Sequence, residues 1–147
     1  MKLQTVLAAK GTGVVMVSPS SSIREAVATL RENNVGALIV VDGDGQPCGI
    51  LSERDIIRAL GSDTALLERR AGELMTAAVV CGCPQDDVEA VLKTMTGRHF
   101  RHLPVVEDGR LVGILTIGDL VKAQLNQYRG TVDSLQVQLM STEAAAS

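Results

Sequence analysis

Apolar and polar positions along this 147-residue chain alternate between a helical and a strand period, and the same succession occurs twice. Leu3, Val6 and Leu7 fall at helical spacing and stop before Gly11 and Gly13, which predicts a short helix over residues 2–9. Val14 to Val17 predicts a strand closed by Ser18-Pro19. Ser22-Ile23-Arg24-Glu25 has the form of a capping box, with Ser at the N-cap and Glu three residues on. Behind it Ile23, Ala26, Val27 and Leu30 form one apolar stripe of an amphipathic helix that Asn33-Asn34 ends. Ala37 to Val41 is a continuous apolar run, as expected of a strand covered on both faces. Asp42-Gly43-Asp44-Gly45 turns the chain into an antiparallel strand through Gly49 to Leu51, and Ser52 caps a helix running to about Leu60.

After a polar stretch with room for one helical turn, Gly72-Glu73-Leu74-Met75 leads into a restart. Val79-Val80 repeats Val14-Val15 and Pro84 repeats Pro19, both 65 residues on. At the same offset Val88, Val91, Leu92 and Met95 keep the stripe of the first amphipathic helix, and Leu103, Val105 and Val106 repeat Leu38, Val40 and Val41. The offset falls to 64 across the shorter Asp108-Gly109 turn, after which Gly113, Ile114, Leu115 and Asp119 match Gly49, Ile50, Leu51 and Asp55. Preserved stripe, turn and cap indicate structural duplication. The predicted fold is α/β (α+β): two β-α-β-β-α units packed sheet to sheet about a pseudo-two-fold axis, because so small a sheet cannot bury its apolar face alone. The expected divisions are a lead-in over 1–13, units over 14–60 and 79–125, a linker over 61–78 and a helical extension over 126–147. In that extension Val121, Leu125, Tyr128, Val132, Leu135 and Leu139 step by 4, 3, 4, 3, 4, a heptad-like seam that either packs on its own domain or forms a dimer interface. Gly130 predicts a kink or two shorter helices with Thr131 as a new cap, and residues 141–147 are expected to fray.

Composition narrows the function. Hydrophobic residues make up 46% of the chain, yet there is one Phe, one Tyr and no Trp, so the core is aliphatic and the stacking platforms of single-strand nucleic-acid binders are missing. A net charge of −3 supplies no attraction to nucleic acid or to an anionic membrane. Three cysteines without Cys-x-x-Cys spacing suit a reducing cytoplasm, and Cys81 and Cys83 lack the second pair that would complete a metal site. No apolar run approaches the ~20 residues of a membrane span. A soluble cytoplasmic protein is expected, with neither nucleic acid nor membrane as partner.

The chemistry concentrates in a stretch that occurs twice, Gly49-Ile50-Leu51-Ser52-Glu53-Arg54-Asp55 and Gly113-Ile114-Leu115-Thr116-Ile117-Gly118-Asp119. Each marks a strand handing over to a helix, with a hydroxyl at the N-cap and a carboxylate at the third helical position. Ser/Thr-x-x-Asp is a plain capping device too, so the motif alone does not imply a ligand. His99 and His102 have no nucleophile, oxyanion arrangement or carboxylate pair beside them, which argues against catalysis. His99 reads as a loop residue ending the second amphipathic helix.

With the repeat, the hairpins and Arg101-His102-Leu103-Pro104-Val105-Val106 followed by Gly113 to Asp119 in view, the chain resembles a tandem CBS-domain protein over residues 10–125. The Leu74-Met75-Thr76 segment before the second unit is also typical of such pairs. The resemblance implies two packed β-α-β-β-α units, commonly dimerising into a disc, with an adenosine-containing ligand (AMP, ADP, ATP, NAD or S-adenosylmethionine) in clefts between them. It further implies that Asp55 and Asp119 accept hydrogen bonds from ribose hydroxyls and that Ser52 and Thr116 contact ribose or phosphate. Adenine would lie near Val14, Ala37 and Val79, with Arg54, Arg101 and His102 as phosphate-binding groups. Elementary chemistry agrees: a ribose diol offers two donors to a fixed carboxylate, and a phosphate suits a helix N-terminus with nearby cations. The units depart from symmetry, since Gly36-Ala37 stands where the second has Arg101-His102, and Gly118 where the first has Arg54. So few cations favour a monophosphate or the bridged phosphates of NAD over a triphosphate. The expectation is a non-catalytic sensor without a catalytic cofactor or metal, binding AMP or NAD, homodimeric and read by an unnamed effector. The alternative is a ligand-independent dimerisation or interaction scaffold.

Overall fold

The computed structural model describes residues 1–11 and 13–146, with the backbone alone over 143–146. In order the elements are α1 (Leu3–Lys10), β1 (Met16–Val17), α2 (Ile23–Asn33), β2 (Ala37–Val41), β3 (Pro47–Ser52), α3 (Glu53–Leu60), a 3₁₀ turn (Leu66–Glu68), α4 (Ala71–Leu74), α5 (Val88–Arg98), β4 (His102–Glu107), β5 (Arg110–Thr116) and α6 (Ile117–Ala146). In the first unit β1 pairs parallel with β2, and β2 pairs antiparallel with β3. In the second, β4 and β5 form the antiparallel hairpin. The two hairpin turns meet, Gln46 Nε2 donating to Gly109 O at 2.7 Å. Helices α2 and α5 end alike, with Asn34 and His99 in the left-handed conformation, so His99 is the C-cap that its position suggests.

The first strand of each unit is shorter than its β-branched run predicts. In unit one only Met16 and Val17 pair, opposite Ile39 and Val40, while Val15 lends its carbonyl to Ile39 N–H at 3.1 Å. In unit two Val79 and Val80 lie outside any strand, and a single bridge, Gly82 to Val105, remains. The cause is Pro104, which stands where unit one has Ile39 and has no N–H to give. The ladder survives only on its far side, where Gly82 N–H donates to Pro104 O at 2.8 Å and Val106 N–H to Gly82 O at 2.9 Å.

Two aliphatic clusters form the core, and the lead-in helices are exchanged between them. Leu3, Val6 and Leu7 of α1 pack with Val88, Met95, Leu103, Val105, Leu115 and Leu120 of the second unit. Ala71, Leu74 and Met75, at and just beyond α4, pack with Ile23, Leu30, Leu38, Val40 and Leu51 of the first. Matching backbone bonds secure the exchange: Leu3 N–H to Asp86 O and Gln4 N–H to Pro84 O, against Ala71 N–H to Ser21 O and Gly72 N–H to Pro19 O. Fully burying an aliphatic side chain contributes about 1.5–3 kcal/mol, so three from α1 make the second unit's core depend on residues that precede the first.

Four local expectations need correction. Val27 is 37% exposed instead of buried on its stripe. The Ser22 capping box is one-sided: Ser22 Oγ accepts from Glu25 N–H at 3.1 Å without a return bond from the Glu25 side chain. The segment after Asp119 is one continuous 30-residue helix without a kink at Gly130, and Thr131 does not cap; its hydroxyl bonds back to Gln127 O at 3.1 Å. A glycine in a helix costs about 1 kcal/mol, whereas a break would orphan several N–H and C=O groups. Residues 141–146 continue that helix and are not frayed, and Ser147 lies outside the described residues. The seam residues are not buried by the chain's own core: Leu125, Tyr128, Val132, Leu135 and Leu139 are all at least half exposed.

Candidate functional site

Both strand-to-helix junctions close as reciprocal caps. Asp55 Oδ2 accepts from Ser52 N–H and Ser52 Oγ–H, each at 2.9 Å, and Ser52 Oγ accepts from Asp55 N–H at 3.3 Å. In the second junction Asp119 Oδ2 accepts from Thr116 N–H at 2.8 Å and Thr116 Oγ1 accepts from Asp119 N–H at 3.0 Å. Each cap therefore uses one carboxylate oxygen. The carboxylates are half-buried and not sealed; the Asp119 side chain keeps 26% of its exposure. A fixed, partly exposed carboxylate with an oxygen outside its own cap is an acceptor for a diol.

The glycine heading each motif lies against the exchanged lead-in of the opposite half. A Cβ on Gly49 would meet the Met75 side chain closer than 3.0 Å, and one on Gly113 would meet Leu7 at 2.5 Å. The junctions are thus held from the side by the lead-in of the opposite half.

Strand register brings the remaining predicted residues to these junctions. Ala37, buried, pairs with Ser52, and half-buried His102 pairs with Thr116. Continued back two residues, the β1–β2 register sets Val14 opposite Ala37; Val79 lies three residues before Gly82, the residue that bridges to Val105 beside β4. Val14 and Val79 are half-buried. Arg101 is exposed, and its carbonyl accepts from Ile117 N–H at 3.0 Å, as Gly36 O accepts from Glu53 N–H at 3.0 Å. Arg54 is exposed on the first turn of α3.

The two junctions differ electrostatically. Lys10, the last residue of α1, donates from Nζ to Asp119 Oδ2 at 2.6 Å and to Ile114 O at 2.9 Å. In unit one the corresponding Ile50 O accepts instead from the backbone N–H of Thr76 at 2.9 Å, and Asp55 has no ion pair among the described residues. Burial pushes the Asp119 carboxyl up, but Lys10 and the Thr116 N–H more than offset this and hold it below 3.8. Burial, then Lys10 and Arg101, push the His102 imidazole below 6.5 against the opposing fields of Asp55 and Asp119. His102 is therefore neutral at pH 7 and senses carboxylates of both halves.

Sequence reasoning missed Lys10. It lies 109 residues from Asp119 and has no counterpart in the repeat, so no spacing pointed to it. With Arg101 it gathers beside the second junction the positive charge that the motif itself lacks. Two cavities, of about 340 and 390 Å³, lie away from these residues, one beside Met1 and Tyr128 and the other between α2 and α3. Among the described residues no group of three His, Cys, Asp or Glu is placed to hold a metal, and no helix is long and apolar enough to cross a membrane.

A duplicated βαββα unit with exchanged lead-in helices and a capped acid at each junction defines a class of paired modules, and comparison with known proteins identifies it. The CBS domain family model matches residues 11–62 and 71–126, so the chain belongs to the CBS-domain family and carries two repeats. A crystal structure of a CBS-domain-containing protein from Agrobacterium tumefaciens is 41% identical with a TM-score of 0.80, covering 84% of this chain and 99% of that one. A CBS domain protein from Pyrobaculum aerophilum, complexed with AMP, is 28% identical with a TM-score of 0.71 over 81% of this chain and 89% of that one. The CBS domain pair of protein MJ0100, in complex with 5′-methylthioadenosine and S-adenosyl-L-methionine, is 26% identical with a TM-score of 0.76 over 86% and 98%.

Proposed function

We propose that this chain is a non-catalytic regulatory module that binds an adenosine-containing ligand at its strand-to-helix junctions, with AMP or NAD as the best-suited ligands. The observation that carries the reading is the pair of capped, partly exposed carboxylates, Asp55 and Asp119, each with one oxygen outside its cap. Ser52 and Thr116 would lie beside the ribose, Val14, Ala37 and Val79 against the base, and Arg54, Arg101 and His102 toward phosphate. Two CBS-domain structures crystallised with AMP and with methylthioadenosine and S-adenosylmethionine support the adenosyl assignment. Ligand bridging the two halves would favour one arrangement of them, and only by its difference in affinity between arrangements. An effector protein would read that change.

The exposed stripe of α6 favours a companion reading, that a second copy of the chain covers it. Val121, Leu125, Tyr128, Val132, Leu135 and Leu139 are 42–65% exposed at heptad spacing, and helices that project without packing are marginal in water. A ligand-independent scaffold would use this surface alone. Calorimetry and thermal shift with AMP, ATP, NAD and S-adenosylmethionine separate the readings. A response to at least one supports the sensor; no response to any leaves the scaffold.

A further inference from the structure

The two junctions present unequal acids, and the difference arises from one side chain outside both repeats. Lys10 Nζ holds Asp119 Oδ2 at 2.6 Å and Ile114 O at 2.9 Å, with its side chain 33% exposed. Asp55 carries no such cation among the described residues, because the backbone of Thr76 satisfies Ile50 O where Lys10 satisfies Ile114 O. A ribose approaching the free oxygen of Asp119 therefore meets an ammonium seated on the neighbouring, capped oxygen, whereas a ribose approaching Asp55 meets none.

We propose that Lys10 is the specificity-determining residue of the Asp119 junction, making that site selective for nucleoside phosphates over uncharged or cationic adenosyl compounds. An uncharged ligand that drew the Asp119 carboxylate away would leave the ammonium without its strongest partner, and a cationic ligand would be repelled by it. A phosphate supplies a replacement anion, and the four-carbon stem of lysine can swing its charge from carboxylate to phosphate without moving α1. Arg101, the residue before β4, adds positive charge near His102, which pairs with Thr116 across the hairpin. The Asp55 junction has Arg54 alone and should discriminate less.

This inference rests on the adenosyl-ligand reading, and one experiment separates the fate of the two. AMP and adenosine are titrated into the isotope-labelled full chain; the Thr116 and Asp119 amides report the second junction, and those of Ser52 and Asp55 the first. A charge-assisted hydrogen bond is worth about tenfold or more in affinity, so Lys10→Gln should cut the AMP-to-adenosine preference at the second junction by about tenfold. The preference at the first should stay unchanged, and Lys10→Arg should restore most of the loss. An unchanged ratio in Lys10→Gln, or an equal change at both junctions, overturns the role of Lys10 while leaving ligand binding intact. If neither compound moves any of the four amides in the wild type, both this inference and the adenosyl reading fall.

Discussion

Gly49→Ala tests how the two halves hold each other. The added methyl would lie 2.8 Å from Met75 Cγ and 3.1 Å from Met75 Cβ. These atoms are close to the backbone, so rotating the far end of the side chain does not relieve the clash and the chain just beyond α4 must move. That segment is tied down, since Thr76 and Ile50 exchange backbone hydrogen bonds at 2.9 and 3.0 Å and Met75 N–H donates to Ala71 O at 2.9 Å. Overpacking of this kind costs about 1–3 kcal/mol, and replacing glycine returns about 0.4–1 kcal/mol through the unfolded chain. The net loss is about 1–2 kcal/mol, or roughly 2–8 °C in melting temperature for a chain of this size. Met75→Ala alone should destabilise by loss of packing, yet the double variant should be less damaged than the sum of the singles. A coupling of about 1 kcal/mol is within the range for touching side chains. Urea unfolding of the four proteins measures it. Strict additivity would refute the claim that the motif glycine exists to admit the opposite lead-in.

Other outcomes follow from the same geometry. His102 is held below 6.5 in the folded chain, so as pH falls below 6.5 the unfolded chain takes up a proton first and stability declines until the folded value is reached. Asp119, lowered from 3.8, adds stability that is complete above 3.8 and lost as pH falls through its lower folded value. Melting temperatures over a pH series should therefore fall below 6.5 in the wild type and fall less in His102→Gln; identical profiles would count against the buried neutral imidazole. Pro104→Val should restore the donor that Ile39 provides in unit one, giving residue 104 a slowly exchanging amide bonded to Val80 O. Fast exchange there would mean that something other than the missing N–H shortens the strand. Leu125→Glu or Leu135→Glu should convert a dimer to a monomer in analytical ultracentrifugation, and an unaltered dimer would show that α6 is not where the copies meet.

What the sequence determined by itself lay at short range or in repetition. Ser52 with Asp55 and Thr116 with Asp119 are three residues apart, so their caps follow from local backbone geometry. The 65-residue offset revealed the duplication, and His99 could be read as a helix end from its place after the stripe. Pro104 was legible too, because a missing N–H is a property of the residue, but its effect required knowing which strand lay beside it. Tertiary structure alone decided the exchange of α1 and α4 between the halves, since apolar helices of that length fit either core equally well by pattern. It alone decided that α6 runs straight through Gly130 with its seam outward, because propensity differences of about 1 kcal/mol are smaller than the backbone bonds they oppose. And it alone brought Lys10 to Asp119: a charge pair between distant segments has no periodicity to betray it, and exists only once the chain has folded back on itself.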